Sequence, residues 1–190
     1  MSDEVDSPDA AVRSRRRFLQ ATGAGLLFAP LGAVCARPSP TRSLSLVNTH
    51  TGEALYAEYC SDGIYQAGCL AQVNRFLRDF RSGEIHAIDP RLLDLLYRLQ
   101  VLANRAATYE VISGYRSRQT NAALRRASAG VAEHSLHMDG RAIDVRMTGF
   151  HSRKLRDLAL SLRSGGVAYY ARSDFVHLDT GPVRSWGDKA

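Results

Sequence analysis

The residues of this chain best suited to chemistry are two histidines and an aspartate. Ser135-Leu136-His137-Met138-Asp139-Gly140-Arg141-Ala142-Ile143-Asp144 puts an aspartate seven positions after a histidine. Asp174-Phe175-Val176-His177-Leu178-Asp179-Thr180-Gly181 supplies a second histidine far downstream. Two neutral imidazoles and one carboxylate form a borderline-soft ligand set that suits zinc, Zn2+. Three protein ligands leave a fourth coordination position for water, which separates a hydrolytic zinc site from a structural one. Hydrolysis of an amide then needs a carboxylate to take the water's proton and pass it to the leaving amine. Two acids flank His177. Asp174 lies three residues before it, and Asp179 lies two after it. Asp179 also suits a partner that orients a ligand imidazole, so the base stays open between the two.

Local pattern predicts the elements that carry these groups. Ala142–Met147 reads as a strand with Ile143 and Val145 on one face and Asp144 on the other. Phe175–Leu178 reads as a second strand, with Val176 and Leu178 opposed to His177. Set side by side, these strands bring Asp144 and His177 to one face. His137 arrives from the irregular stretch before the first strand. Gly140 gives that stretch freedom to turn and lets the chain pass close to the metal. Other strands are expected at 43–47, 55–59, 109–113 and 167–170. Helices are expected at 67–80, from Asp89-Pro90 (an N-cap followed by proline at the first position), from Ser117 to about Arg126, and from Ser152 to about Arg163. The mixture is α+β, with a small antiparallel sheet holding the site and helices flanking it.

Other reactive side chains lack partners in the sequence. His134 is close to His137 but reads as bland, Asp139 as solvated, and His50, His86 and His151 stand alone. Ser113 and Ser135 lack the surroundings of a serine nucleophile. Trp186 reads as a packing anchor, with substrate contact as the alternative for a tryptophan exposed at an edge.

Residues 1–36 read as a leader rather than as part of the fold. Ser14-Arg15-Arg16-Arg17-Phe18-Leu19 holds a twin arginine before an uncharged stretch from Ala21 to Ala36, with small residues at Val34-Cys35-Ala36. This pattern fits a twin-arginine export signal and a periplasmic destination. The stretch is too weakly apolar and too short for a stable membrane span, which needs about 20 apolar residues. Residues 37–43, with Pro38 and Pro40, read as a linker, leaving 44–190 as one catalytic domain. The four arginines and four acids of the leader cancel, so the exported part keeps the chain's net charge of +6. That charge suits an anionic wall polymer. No dense basic run with interleaved aromatics appears, and nucleic acid is excluded as a partner. In an oxidising compartment a disulfide between Cys60 and Cys69 across a short loop is reasonable, with two reduced buried thiols as the alternative.

Ser135-x-His137-x-x-Gly140-x-Ala142-x-Asp144 is similar to the SxHxxGxAxD pattern of the M15-type zinc peptidases that cut peptides containing D-amino acids. Gly166-Val167-Ala168-Tyr169-Tyr170, Phe175 to Trp186, and Ser113-Gly114-Tyr115-Arg116-Ser117 resemble the murein endopeptidase K branch more specifically. The resemblance spans the mature chain. It implies an M15/hedgehog-like fold, His137, Asp144 and His177 as zinc ligands, and peptidoglycan peptide stems as substrate. It also implies a role for Arg116, which in related enzymes stabilises the oxyanion or holds a substrate carboxylate. Where carboxypeptidases of the group carry a glutamate, this chain has the shorter Asp174. The function expected is therefore cross-link cleavage in cell-wall remodelling. Stem-trimming carboxypeptidase activity and a metal-stabilised binding module without turnover are the alternatives.

Overall fold

The computed structural model describes residues 40–128 and 130–188. The expected leader at 1–36 lies outside them. Thirteen elements follow along the described residues. Strands β1 (Arg42–Asn48), β2 (Ala54–Ser61) and β3 (Ile64–Tyr65) come first, then helices α1 (Ala67–Phe76) and α2 (Pro90–Leu102). Strand β4 (Thr108–Ser113) and helix α3 (Arg118–Ala127) lead to a 3₁₀ turn at Leu136–Asp139. Strand β5 (Ala142–Met147), helix α4 (Ser152–Leu162) and strands β6 (Gly166–Tyr170), β7 (Phe175–Asp179) and β8 (Arg184–Gly187) complete the chain. Because β1 begins at Arg42, the last two residues of the expected linker belong to the sheet.

The class is α+β, as the alternation of patterns predicts. The sheet is larger than expected: all eight strands join in the order β3-β2-β1-β4-β5-β7-β6-β8. Most pairs are antiparallel, but β1–β4 and β6–β8 are parallel. Strand β1 sits beside β4 because α1 and α2 provide the long crossover that a parallel neighbour requires.

Helix α2 follows its sequence cues. The Asp89 side chain accepts from the Arg91 N–H at 3.0 Å, and Pro90 opens the first turn. Leu92, Leu93, Leu95, Leu96 and Leu99 are buried, each stabilising the fold by about 1.5–3 kcal/mol. They pack with Leu44, Leu46, Tyr109, Val111, Ile143, Val145, Val176 and Leu178 from the sheet, and with Leu155 and Ala159 from α4. Residues alternate across a strand, so burying Ile143 and Val145 turns Asp144 to the opposite face.

Two expectations need correction. Helix α1 ends at Phe76 rather than Phe80. Asp79 takes over there: its backbone N–H donates to the Glu84 carbonyl, its carbonyl accepts from Gly83, and its carboxylate accepts from Arg81 N–H, closing a tight turn. Phe80 leaves the core face and stacks on His50. The disulfide is not formed. Cys60 and Cys69 are free thiols that pack as small apolar side chains on the core. Among the described residues, no helix is long and apolar enough to cross a membrane.

Candidate metal centre and its cleft

Asp144 and His177 are direct cross-strand partners in the antiparallel β5–β7 ladder. His137 reaches them from the 3₁₀ turn, where its own N–H donates to the Ser135 Oγ cap. Gly140 ends that turn at φ +64°, and a Cβ there would strike the Ala87 carbonyl. The close approach that requires glycine is therefore to the chain before α2, not to the ligand cluster. The Gly140 carbonyl also accepts from Asp89 N–H at 2.9 Å, which fastens the turn to the start of α2.

The three side chains are buried, and one ligand atom from each lies within 4.8 Å of the others. His137 Nε2 is 3.3 Å from Asp144 Oδ2 and 3.2 Å from His177 Nδ1, and His177 Nδ1 is 2.9 Å from Asp144 Oδ1. A tetrahedral zinc with bonds of about 2.0–2.1 Å sets its ligand atoms about 3.3 Å apart, so these separations fit. The outer nitrogens fix the tautomers. His137 Nδ1–H donates to the Gly114 carbonyl at 2.7 Å, and His177 Nε2–H donates to Asp179 Oδ2 at 3.2 Å. When both rings are neutral, as metal binding requires, the inner nitrogens present lone pairs to a carboxylate; without metal, His177 holds a proton against Asp144. Three lone-pair donors facing one another repel unless positive charge lies between them. The donor set fits a divalent cation.

The electrostatics carry the same signature. Burial disfavours charge on His177, but Asp144 and Asp179 outweigh it and push the imidazole up to about 9. Burial pulls His137 down, and the neighbouring His177 and Arg116 add to that against the pull of Asp144. Burial opposes ionisation of Asp144, yet His137 and His177 hold it well below the usual carboxylate range.

This centre forms part of the wall of a cleft of about 510 Å³, lined also by Arg116, His134, Ser135, Tyr170, Phe175, Arg184 and Trp186. Arg116 is half-buried beside the centre, its Nη2 3.8 Å from Asp144 Oδ2. Nη2 also meets Ser113 Oγ, and Nη1 meets Asn121 Oδ1, both at 3.4 Å. Its buried Nε has no hydrogen-bond partner among the described residues. Burial draws the guanidinium below its usual pKa against Asp144. A buried donor left unpaired is costly, and the guanidinium that carries it lines the cleft.

The protein-family comparison matches residues 36–186 to the Peptidase_M15_2 family, described as peptidoglycan L,D-endopeptidase MepK. The chain belongs to this family. It is 46% identical over 177 residues to the peptidoglycan L,D-endopeptidase MepK of Escherichia coli strain K12, covering 91% of this chain and 97% of that one. It is 41% identical over 179 residues to the probable peptidoglycan L,D-endopeptidase MepK of Haemophilus influenzae, covering 92% and 96%. No solved structure matches the chain.

Within this member of the family, the two acids beside His177 have parted. Asp179 shares the face of His177 and is fully buried. Beyond His177, it accepts from the Gly166 and Gly181 N–H groups at 2.9 and 2.8 Å and from both terminal nitrogens of Arg184 at 3.1 and 2.7 Å. Burial opposes its charge, but His177, Arg184 and these N–H groups hold it below the usual carboxylate range. Gly166 is needed here, because a Cβ would collide with Asp179 Oδ2. Asp174 does not join the cluster. It sits in the β6–β7 turn at φ +48° and lines a separate cavity with Glu110, Arg146 and His151.

Trp186 is more than a packing anchor. It is 40% exposed, its ring lies 5.1 Å from that of His177, and its Nε1–H donates to Tyr170 Oη at 3.2 Å. Arg184 spans both groups, clamping Asp179 and lying 4.7 Å over the Trp186 ring. The parallel β6–β8 pairing that builds this wall gives no local signal, since it joins residues distant in sequence.

Proposed function

We propose that this chain is a metallopeptidase that hydrolyses the peptide cross-links of peptidoglycan at L,D bonds, with zinc held by His137, Asp144 and His177. The observation that carries the reading is the convergence of three lone-pair donors at tetrahedral spacing on a cleft wall. Membership of a family whose relatives are named as L,D-endopeptidases supports the substrate. A twin arginine in the segment before the domain supports export to the periplasm, where that polymer lies.

A divalent cation in this centre supplies Lewis acidity, polarising the scissile carbonyl and acidifying a water molecule. The chain's own residues do the rest. Gly114 and Asp179 hold the two imidazoles in the tautomers that turn lone pairs inward. Arg116 donates to the oxygen on which negative charge develops, or to a carboxylate of the stem, and such a donor is worth about 10²–10³ in rate. Tyr170, Phe175 and Trp186 give the cleft an apolar wall against which a peptide stem lies. Asp179 orients His177, and Asp174 takes no part.

The test is digestion of purified muropeptide dimers joined by L,D or by D,D bonds. The zinc-loaded protein is expected to split the L,D dimer into monomers, to stop on chelation and to resume on zinc addition. Release of a terminal D-alanine alone would make the protein a carboxypeptidase. Retention of the dimer without turnover would make it a binding module.

A further inference from the structure

Hydrolysis in this cleft needs a proton carrier, and the flanking acids do not provide one. Asp179 is fully buried and its carboxylate is occupied by two backbone N–H groups, the Arg184 fork and His177. Five donors occupy the two oxygens of this buried carboxylate and leave neither open to a water molecule in the cleft. Asp174 opens on the other cavity. Asp144 belongs to the ligand set. Among the described residues that line the cleft, two further ring side chains can both accept and donate a proton, His134 and Tyr170, whereas the Trp186 indole only donates. Tyr170 Oη is already engaged as the acceptor of the Trp186 Nε1–H. The His134 imidazole can accept a proton at one ring nitrogen while the other donates, which suits it to carry a proton in both directions.

His134 is also held in place. It directly precedes Ser135, which caps the turn carrying His137. The stretch leading to it is fastened by Asn121, which is buried at 2% exposure. Asn121 Nδ2 donates to the Ala132 and Glu133 carbonyls at 3.1 and 3.4 Å, while its Oδ1 accepts from Arg116 Nη1. One buried amide thus ties the segment presenting His134 to the guanidinium beside Asp144.

We propose that His134 is the general base and general acid of this cleft, with Asn121 as the positioning residue that fixes it relative to Arg116. The inference deepens the peptidase reading and rests on it. His134 takes a proton from the attacking water as the water oxygen bonds to the carbonyl carbon. It then gives that proton to the amide nitrogen as the carbon–nitrogen bond breaks, leaving a carboxylic acid and an amine.

The experiment uses the zinc-loaded protein and an L,D-linked muropeptide dimer. Wild-type turnover comes first, since a zinc-replete wild type that leaves the dimer intact overturns the peptidase reading itself. With wild-type turnover established, His134→Ala is expected to lower kcat about 10²-fold or more, with KM within about threefold. Zinc stoichiometry and Tm stay at wild-type values, because His134 is exposed and outside the ligand set. Added imidazole then restores about tenfold of the lost rate, filling the space of the missing ring. Asn121→Ala lowers kcat by about tenfold and gains nothing from imidazole. The proposal is overturned if His134→Ala keeps more than about a third of wild-type kcat, if imidazole restores none of the loss, or if His134→Gln regains the rate.

Discussion

Asp144 and Arg146 stand two residues apart on one face of β5, yet their surroundings are opposites. Around Asp144, two imidazole nitrogens and a carboxylate converge with lone pairs inward, and a buried guanidinium nitrogen beside them lacks a partner. Around Arg146 the polar groups are matched: its Nε donates to the Asp174 carbonyl at 2.6 Å, Nη2 to the Ser173 carbonyl at 2.9 Å, and Nη1 faces Glu110 at 3.5 Å. Both positions open on cavities of similar size, about 510 and 430 Å³. Size therefore does not distinguish them. What does is whether the donors and acceptors satisfy one another. A matched network holds strands together, whereas an unmatched one persists only because something else completes it.

Removing one group from each end tests that contrast most severely. Asp144→Ala is expected to lose stoichiometric zinc and to lower kcat/KM at least about a thousandfold. Arg146→Ala should leave zinc and kcat near wild type and cost about 1 kcal/mol of stability. Metal analysis, muropeptide digestion and thermal melts read both. An Arg146 variant that sheds its zinc would erase the distinction.

A finer version uses the two acids beside His177. Asp179→Ala should weaken zinc binding about 10–100-fold, because His177 loses the acceptor that fixes its tautomer. Asp174→Ala should keep kcat within about threefold, since nothing links it to the cleft. Competition with a chromophoric chelator gives the first value and steady-state rates the second. A tenfold or greater loss in Asp174→Ala would return that acid to the reaction.

The smallest effect is in protons. Without metal, His177 is pushed up to about 9, so its ring carries a proton at neutral pH that zinc must displace. Zinc affinity is therefore expected to fall by about tenfold for each pH unit below about 9 and to level off above it. Calorimetry at pH 7 in buffers of different ionisation heat should show about one proton released per zinc. His137, pulled down, is already neutral there and adds none. A pH-independent affinity would mean that the carboxylates do not hold the proton on His177.

Much of this was legible in the chain. The alternation around Asp144 and His177 gave their shared face, and the β5–β7 register confirms it. Asp89-Pro90 and Ser117 gave helix starts where the structure has them. Asp174 and Asp179 were not separable, since each is a short step from His177. The left-handed turn at Asp174 carries that residue off the strand before β7 begins, and a turn's backbone angles are not written in spacing. His134 looked bland because its fastening comes from Asn121, an unremarkable polar residue of α3.

Sequence alone determined the donor types at His137, Asp144 and His177, the faces of the strands and the caps of the helices, because these depend on side-chain type and on periods of a few residues. Tertiary structure alone decided which acid is consumed as a hydrogen-bond acceptor, where His134 stands, and that eight strands form one sheet. Those outcomes rest on donors brought from distant segments, such as Arg184 onto Asp179 and Asn121 onto the loop before His134. Folding sets these long-range pairings, and local pattern carries no record of them.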